Sequence, residues 1–326
     1  DWLVLFLELL QTEQPPWLDG VVFGPAVEMT LPELRRQIPD RYPIRRYPDI
    51  THSMSCQYEV PGWDEAFRRT LGREGINPRP RAYAEIFRAG QPHSFGFIRY
   101  SEGNNDDVNK FVWSALGWDP EVKVEAVLKE YSRYFIGERL ADRFAEGLLA
   151  LERNWDGPLS ANEGVAGTLE LFRAMEREAA PGDLLNWRFQ QALYRAYYDA
   201  DVQARLAHEQ ALQDEALEVL GDAGRTGTLE AMRQAEAILA RAESERPALD
   251  LRARVFELAE ALFQSARMQL SVPRYQAISV GRGANLDSID EPLNERRAPE
   301  KGFTRVRELE SEDERLRALA ELVAAL

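Results

Sequence analysis

The sequence predicts an α/β portion followed by an all-α portion. Three observations carry this. Strand-then-helix units recur three times in one direction between residues 1 and 120, as parallel α/β structure requires. From Glu121 the texture turns Ala/Leu/Glu/Arg-rich with helical periodicity. At the junction, Gly96 to Pro120 reads as a short strand, a polar loop and an amphipathic helix. A polar cluster at the carboxyl end of a strand, just before a helix, is where parallel α/β folds place ligand-binding groups.

Trp2 to Leu7 is apolar with no basic residues before it, too short to span a bilayer and a poor signal peptide. It predicts the end of a buried helix. Val21-Val-Phe23, flanked by Gly and Pro, predicts the first strand, and Leu31–Ile38 the helix after it. Residues 42–52 hold two prolines, which forbid a helix and predict a second extended segment. A long irregular excursion follows through Cys56, Trp63, Pro78 and Pro80. A short helix is predicted at Tyr83–Arg88 and the third strand near Ser94.

Beyond Glu121, helices are predicted over residues 121–153, 163–178, 183–222, 227–243 and 246–270. Breaks fall at Asp156-Gly-Pro158, Pro181-Gly182 and Gly221 to Gly227. Residues 271–294 turn extended and polar before a last charged helix from about Leu309. The predicted organisation is residues 1–120 as α/β units, 121–270 as a helical domain, and 271–326 as an extended polar segment with a C-terminal helix.

At 326 residues the chain is long enough for two domains, and 44% hydrophobic with 29% charged residues is an ordinary globular composition. Its net charge of −15 argues against nucleic acid, whose phosphates need a basic face. Residues 1–120 hold 17 acidic and 13 basic side chains, a balance of −4, so most of the acid excess lies on the helical part. A single cysteine, Cys56, excludes an internal disulfide and a cysteine-based metal cluster. Compartment and oligomeric state are left open.

Two polar groupings are candidate sites. Asp49 and His52 stand three residues apart beyond the second strand, where a carboxylate can orient an imidazole, hold a metal or bind a sugar hydroxyl. Tyr47 and Tyr58 nearby could stack on a sugar face. The second grouping is Glu102, Asn104, Asn105, Asp106 and Asp107. Asn105 or Asp106 is expected to cap the following helix, leaving Glu102 and Asn104 as ligand contacts. Asp49 with Glu102 is a weak candidate for a catalytic carboxylate pair across adjacent strands. Of the adjacent Arg45 and Arg46, at most one faces a given site, and the other is expected in a salt bridge. The 102–107 run lacks EF-hand spacing, and His93 and His208 are isolated, so neither a metal nor a cofactor is expected. Arg282 to Asp287 lacks the phosphate-loop pattern and is expected to tie the extended segment back onto the protein.

The run from Val21 to Pro120 resembles the last three βα units of the barrel in glycoside hydrolases of the β-N-acetylglucosaminidase (hyaluronidase-like) and α-glucuronidase type. Val21-Val-Phe-Gly-Pro25 resembles a late strand of that family ending in a small residue. Tyr42-Pro-Ile-Arg-Arg-Tyr-Pro-Asp49 resembles its Tyr-Pro strand, and Tyr100 to Pro120 its last strand, Asn-rich loop and Trp-x-Pro helix end. The resemblance implies partial TIM-barrel units followed by a helical domain, a carbohydrate substrate, and Tyr47, Asp49, His52, Glu102 and Asn104 as substrate-binding residues. The family's catalytic carboxylates lie on an earlier strand that this sequence does not contain, and Tyr47-Pro48-Asp49 stands where the family has an Asn-bearing version. A closed barrel needs roughly 250 residues, so the expectation is a C-terminal fragment with its acid/base pair upstream. The alternative is a non-catalytic helical scaffold that works through protein contacts on its acidic helices.

Overall fold

The computed structural model of the protein describes residues 2–294 and 298–325. The chain is mostly helical, at 62%, with one parallel sheet of three strands in the order β1-β2-β3. This agrees with an α/β portion leading into a helical one. Three strands do not close a barrel, and no barrel is formed by the described residues.

The opening run forms α1 (Trp2–Thr12). Only Leu7 and Leu10 are buried, against Phe23, Leu31, Leu34 and Ile44, while Trp2 and Leu5 face solvent. The expected buried helix is therefore half-buried, because one stripe of α1 meets the sheet and the other faces solvent. β1 (Val21–Phe23) pairs with β2 (Ile44–Arg46), with Val22 opposite Arg45. Between them α2 (Leu31–Gln37) starts at a capping box: Glu33 N–H donates to Thr30 Oγ1 and the Glu33 carboxylate accepts from the Thr30 amide.

The irregular excursion holds α3 (Glu65–Thr70), capped by Asp64. α4 (Pro80–Gly90) begins on a proline whose missing N–H is harmless in a first turn. β3 (Gly96–Phe97) then pairs with β2. α5 (Asp107–Trp118) packs so close to β3 that a Cβ on Gly117 would stand 2.7 Å from the Phe97 ring. Phe87, Phe97 and the fully buried Trp113 meet edge to face, with centroids 5.2–6.0 Å apart. Trp118, on the other side of α5, is 92% exposed.

Adjacent strand residues point to opposite faces. Arg46 is buried, stacks over Phe87 and Trp113, and donates from Nη1 to the Phe87 carbonyl at 3.0 Å. Arg45 points outward, above Phe95. The expected salt bridge at this pair is thus replaced by aromatic contacts, since helices α4 and α5 bring rings to that face rather than carboxylates. On the open face Val22 is 58% and Ile98 53% exposed.

The helical portion comprises α6 (Val124–Phe135), α7 (Ala141–Arg153), α8 (Gly164–Glu178), the single turn α9 (Pro181–Leu184) and the 35-residue α10 (Trp187–Gly221). After these come the single turn α11 (Ala223–Thr226), α12 (Thr228–Ser244), α13 (Leu249–Ala266), the single turn α14 (Val272–Tyr275), α15 (Ala298–Arg307) and α16 (Glu312–Ala325). α10 is the spine, with α7, α8, α12 and α13 against it. Its Tyr194 and Tyr198 are fully buried. Arg195, on the same helix, pairs with Asp199 at 3.0 Å and donates to the Ile76 carbonyl, fastening the spine to the excursion. One apolar cluster runs from Ile50 to Leu293, crossing residue 120. Among the described residues no helix is long and apolar enough to cross a membrane.

Candidate functional site

Past β2 the chain stays extended, and Asp49 forms a parallel bridge with Tyr100. Tyr100 N–H donates to the Pro48 carbonyl at 2.9 Å. This carries the two polar groupings, separate in sequence, to neighbouring strand ends.

Asp49 is a turn-builder. Its Oδ1 accepts from the amides of Thr51 at 3.0 Å and His52 at 3.3 Å, a local turn that Asp side chains favour. Its Oδ2 stands 2.7 Å from His52 Nδ1. Burial alone would raise this carboxyl's pKa, but the His52 and Thr51 hydrogen bonds outweigh it and hold it below its usual value. His52 is 3% exposed and its ring stacks on Tyr100 with centroids 5.9 Å apart. Its Nε2 lies 3.2 Å from Glu74 Oε1.

Glu74 is also buried, and Arg282 reaches it from the far end of the chain. Arg282 Nε stands 2.9 Å from Glu74 Oε1, and its Nη2 stands 3.2 Å from Glu102 Oε2. The other Glu102 oxygen accepts from the Tyr100 hydroxyl. The Glu102 amide donates to Thr51 Oγ1 at 3.1 Å, so the loop after β3 is pinned to the turn after β2. Ligand atoms of His52, Glu74 and Glu102 all lie within 4.8 Å of one another.

Above this network lies a cleft of about 290 Å³. Glu74, Glu102, Asn104, Arg267, Gln269 and Arg282 are among the residues that line it. Of the residues that the sequence pointed to, Glu102 and Asn104 line the cleft. Asp49 and His52 sit buried beside it and act through Glu74. Tyr47 stands edge-on to Tyr100 at 6.0 Å and does not line the cleft. Glu74 escaped the sequence reading because it lies in the irregular excursion, with no periodicity or motif around it. Arg282 was expected only as a tie for the extended segment, and it is one.

Asp106 does occupy the cap position of α5, yet its side chain makes no cap bond. It turns inward to accept from Thr51 Oγ1 at 2.5 Å and Ser101 Oγ at 3.0 Å, and pairs with Lys110 Nζ at 3.0 Å. The expected cap is overruled because Asp106 is fully buried and its neighbours offer stronger donors. Burial raises its pKa despite those bonds. Asn105 likewise looks inward, donating to the Glu74 carbonyl at 3.3 Å.

The arrangement offers carboxylate acceptors, guanidinium and amide donors, and an imidazole aimed by a carboxylate, all at the carboxyl ends of parallel strands. Compared with known protein families, curated proteins and solved structures, the chain has no match in any of the three.

Proposed function

We propose that the cleft binds a carbohydrate, and that the chain is the late part of a glycoside-hydrolase-like (β/α) barrel joined to its helical domain. One observation carries this reading. The cleft lies beyond the carboxyl end of β3 and is lined by Glu102 and Asn104 together with Arg267, Gln269 and Arg282. Planar side chains that accept and donate within one cleft suit the vicinal hydroxyls of a sugar. Glu102 and Asn104 are the direct contacts, and Asp49 and His52 hold Glu74 in place, while Tyr47, outside the cleft, takes no part.

The open sheet face supports the barrel half of the proposal. Parallel sheets are covered on both faces, whereas Val22 and Ile98 here face solvent. Further strands packed on that face would cover them. In this reading the acid/base pair stands on those strands, and this chain supplies substrate binding.

The test is calorimetric titration with N-acetylglucosamine, glucuronic acid and their short oligomers. Saccharide binding that weakens more than tenfold in Glu102→Gln, at an unchanged melting temperature, is the expected result. No binding by the unaltered chain to any member of the panel would overturn the reading and favour the scaffold.

A further inference from the structure

We propose that His52 Nε2, Glu74 and Glu102 form a binding site for a divalent transition-metal ion, with Asp49 as the positioning residue that aims His52. The donor set, one imidazole nitrogen and two carboxylates, is the mixed set that Zn²⁺ accepts. The inference does not rest on the sugar reading.

The argument begins with the ring rather than with the acids. His52 Nδ1 is 2.7 Å from Asp49 Oδ2, so Asp49 fixes the ring with Nε2 aimed away from it. Nε2 lies 3.2 Å from Glu74 Oε1, so two ligand atoms from separate segments of the chain converge there. A separation of 3.2 Å is also what two ligands of one Zn²⁺ show when each bond is about 2.1 Å. All three ligand atoms already fall within 4.8 Å, and Glu102, the most exposed of the three, is the one that must close in.

A carboxylate orienting a histidine whose far nitrogen faces further carboxylates is the usual build of a metal site. Arg282 now lies on the two carboxylates that the ion would take, at 2.9 Å and 3.2 Å. It is half-exposed, at the end of the single turn Val280–Arg282 and just before Gly283 at φ +88°. That position leaves it free to swing into solvent as the ion enters.

The experiment uses the whole chain, dialysed against chelator and titrated with Zn²⁺ alone, with Co²⁺ as a spectroscopic substitute. The expected result is one equivalent of tight binding and a Co²⁺ visible spectrum that shows imidazole nitrogen. Glu102→Gln should weaken it at least tenfold, and Asp49→Asn by about 10–100-fold. Arg282→Ala should tighten it, because it removes the competing cation. That last variant leaves all three ligands intact, so a folding defect in the others does not decide the matter. Absence of stoichiometric binding overturns the proposal. So does binding that Glu102→Gln leaves unchanged, or binding that weakens in Arg282→Ala. No saccharide is present in the titration, so the site stands or falls apart from the sugar reading.

Discussion

Arg282 Nε lies 2.9 Å from the Glu74 carboxylate, and this ion pair joins the polar segment after α13 to the excursion after β2. The segment that carries Arg282 is otherwise held by hydrogen bonds between side chains. Tyr194 donates to Asn285 Oδ1 at 2.6 Å, and Ser271 to Asp287 Oδ1 at 2.6 Å. Arg282 is thus one of several ties, and the one that also closes the cleft.

Arg282→Ala should therefore leave the fold intact while loosening the cleft wall. Arg282 is half-exposed, so water screens much of the lost attraction. Glu74 is buried, though, and keeps only His52 and the more distant Arg73 as partners. The expected loss is about 1–2 kcal/mol in urea unfolding. Amide exchange should rise around 278–284 and stay unchanged in α10. A loss of less than a few tenths would show the pair to be idle.

Asp106 gives the second test. Its buried carboxylate collects the hydroxyls of Thr51 and Ser101 and the Lys110 ammonium, and of these three partners Thr51 is the buried one. Alanine would leave the buried Thr51 hydroxyl without its acceptor, while Lys110 keeps the Gly103 carbonyl and Ser101 reaches water, for a loss of about 2 kcal/mol. Asparagine keeps one acceptor oxygen of the same shape and should cost about half as much. Equal losses for the two variants, read from denaturant midpoints, would mean that volume rather than hydrogen bonding holds Asp106 in place.

The elements were legible wherever local pattern decides. Val21 to Phe23 between Gly and Pro, the two prolines around Ile44 to Arg46, and the breaks at Pro181 and Gly221 mark real boundaries. Glu102 and Asn104 were legible as residues of a polar loop between a strand end and a helix, and both line the cleft. The rest depends on tertiary placement. Nothing near Arg73-Glu74-Gly75 tells that Glu74 will meet His52. Asp106 has every local mark of a cap, and Thr51 and Lys110 take it away. Asp49 looks like a ligand in sequence, yet the amides two and three residues on, with the His52 ring, use up its oxygens.

A pH signature should come from Asp201 on α10. It is buried, with Arg246 Nη2 at 3.0 Å. Burial outweighs Arg246 and Arg205 and raises its pKa from 3.8 to about 6. Between those values the folded chain holds a proton that the unfolded chain has released. Its contribution to stability is thus greatest below pH 4, falls as pH rises to 6, and is flat above. The span is on the order of 3 kcal/mol. Unfolding free energy of the native chain minus that of Asp201→Asn, taken from pH 4 to 7, should trace this fall. A flat difference would mean that Arg246 keeps Asp201 ionised throughout.

Two helical glycines should respond to alanine with opposite signs. Alanine favours an α-helix over glycine by about 1 kcal/mol. At Gly167 on α8 a Cβ would meet nothing within 4 Å, so Gly167→Ala should stabilise the chain by up to about that amount. At Gly147 on α7 a Cβ would stand 2.6 Å from the Phe172 ring. Phe172 is fully buried and meets Phe144 edge to face at 6.1 Å, so it has no room to retreat. Overpacking of about 1–3 kcal/mol then exceeds the helix gain, and Gly147→Ala should lower the melting temperature. A stabilised Gly147→Ala would show that α7 and α8 can part by the needed ångström, and that their contact is looser than its geometry.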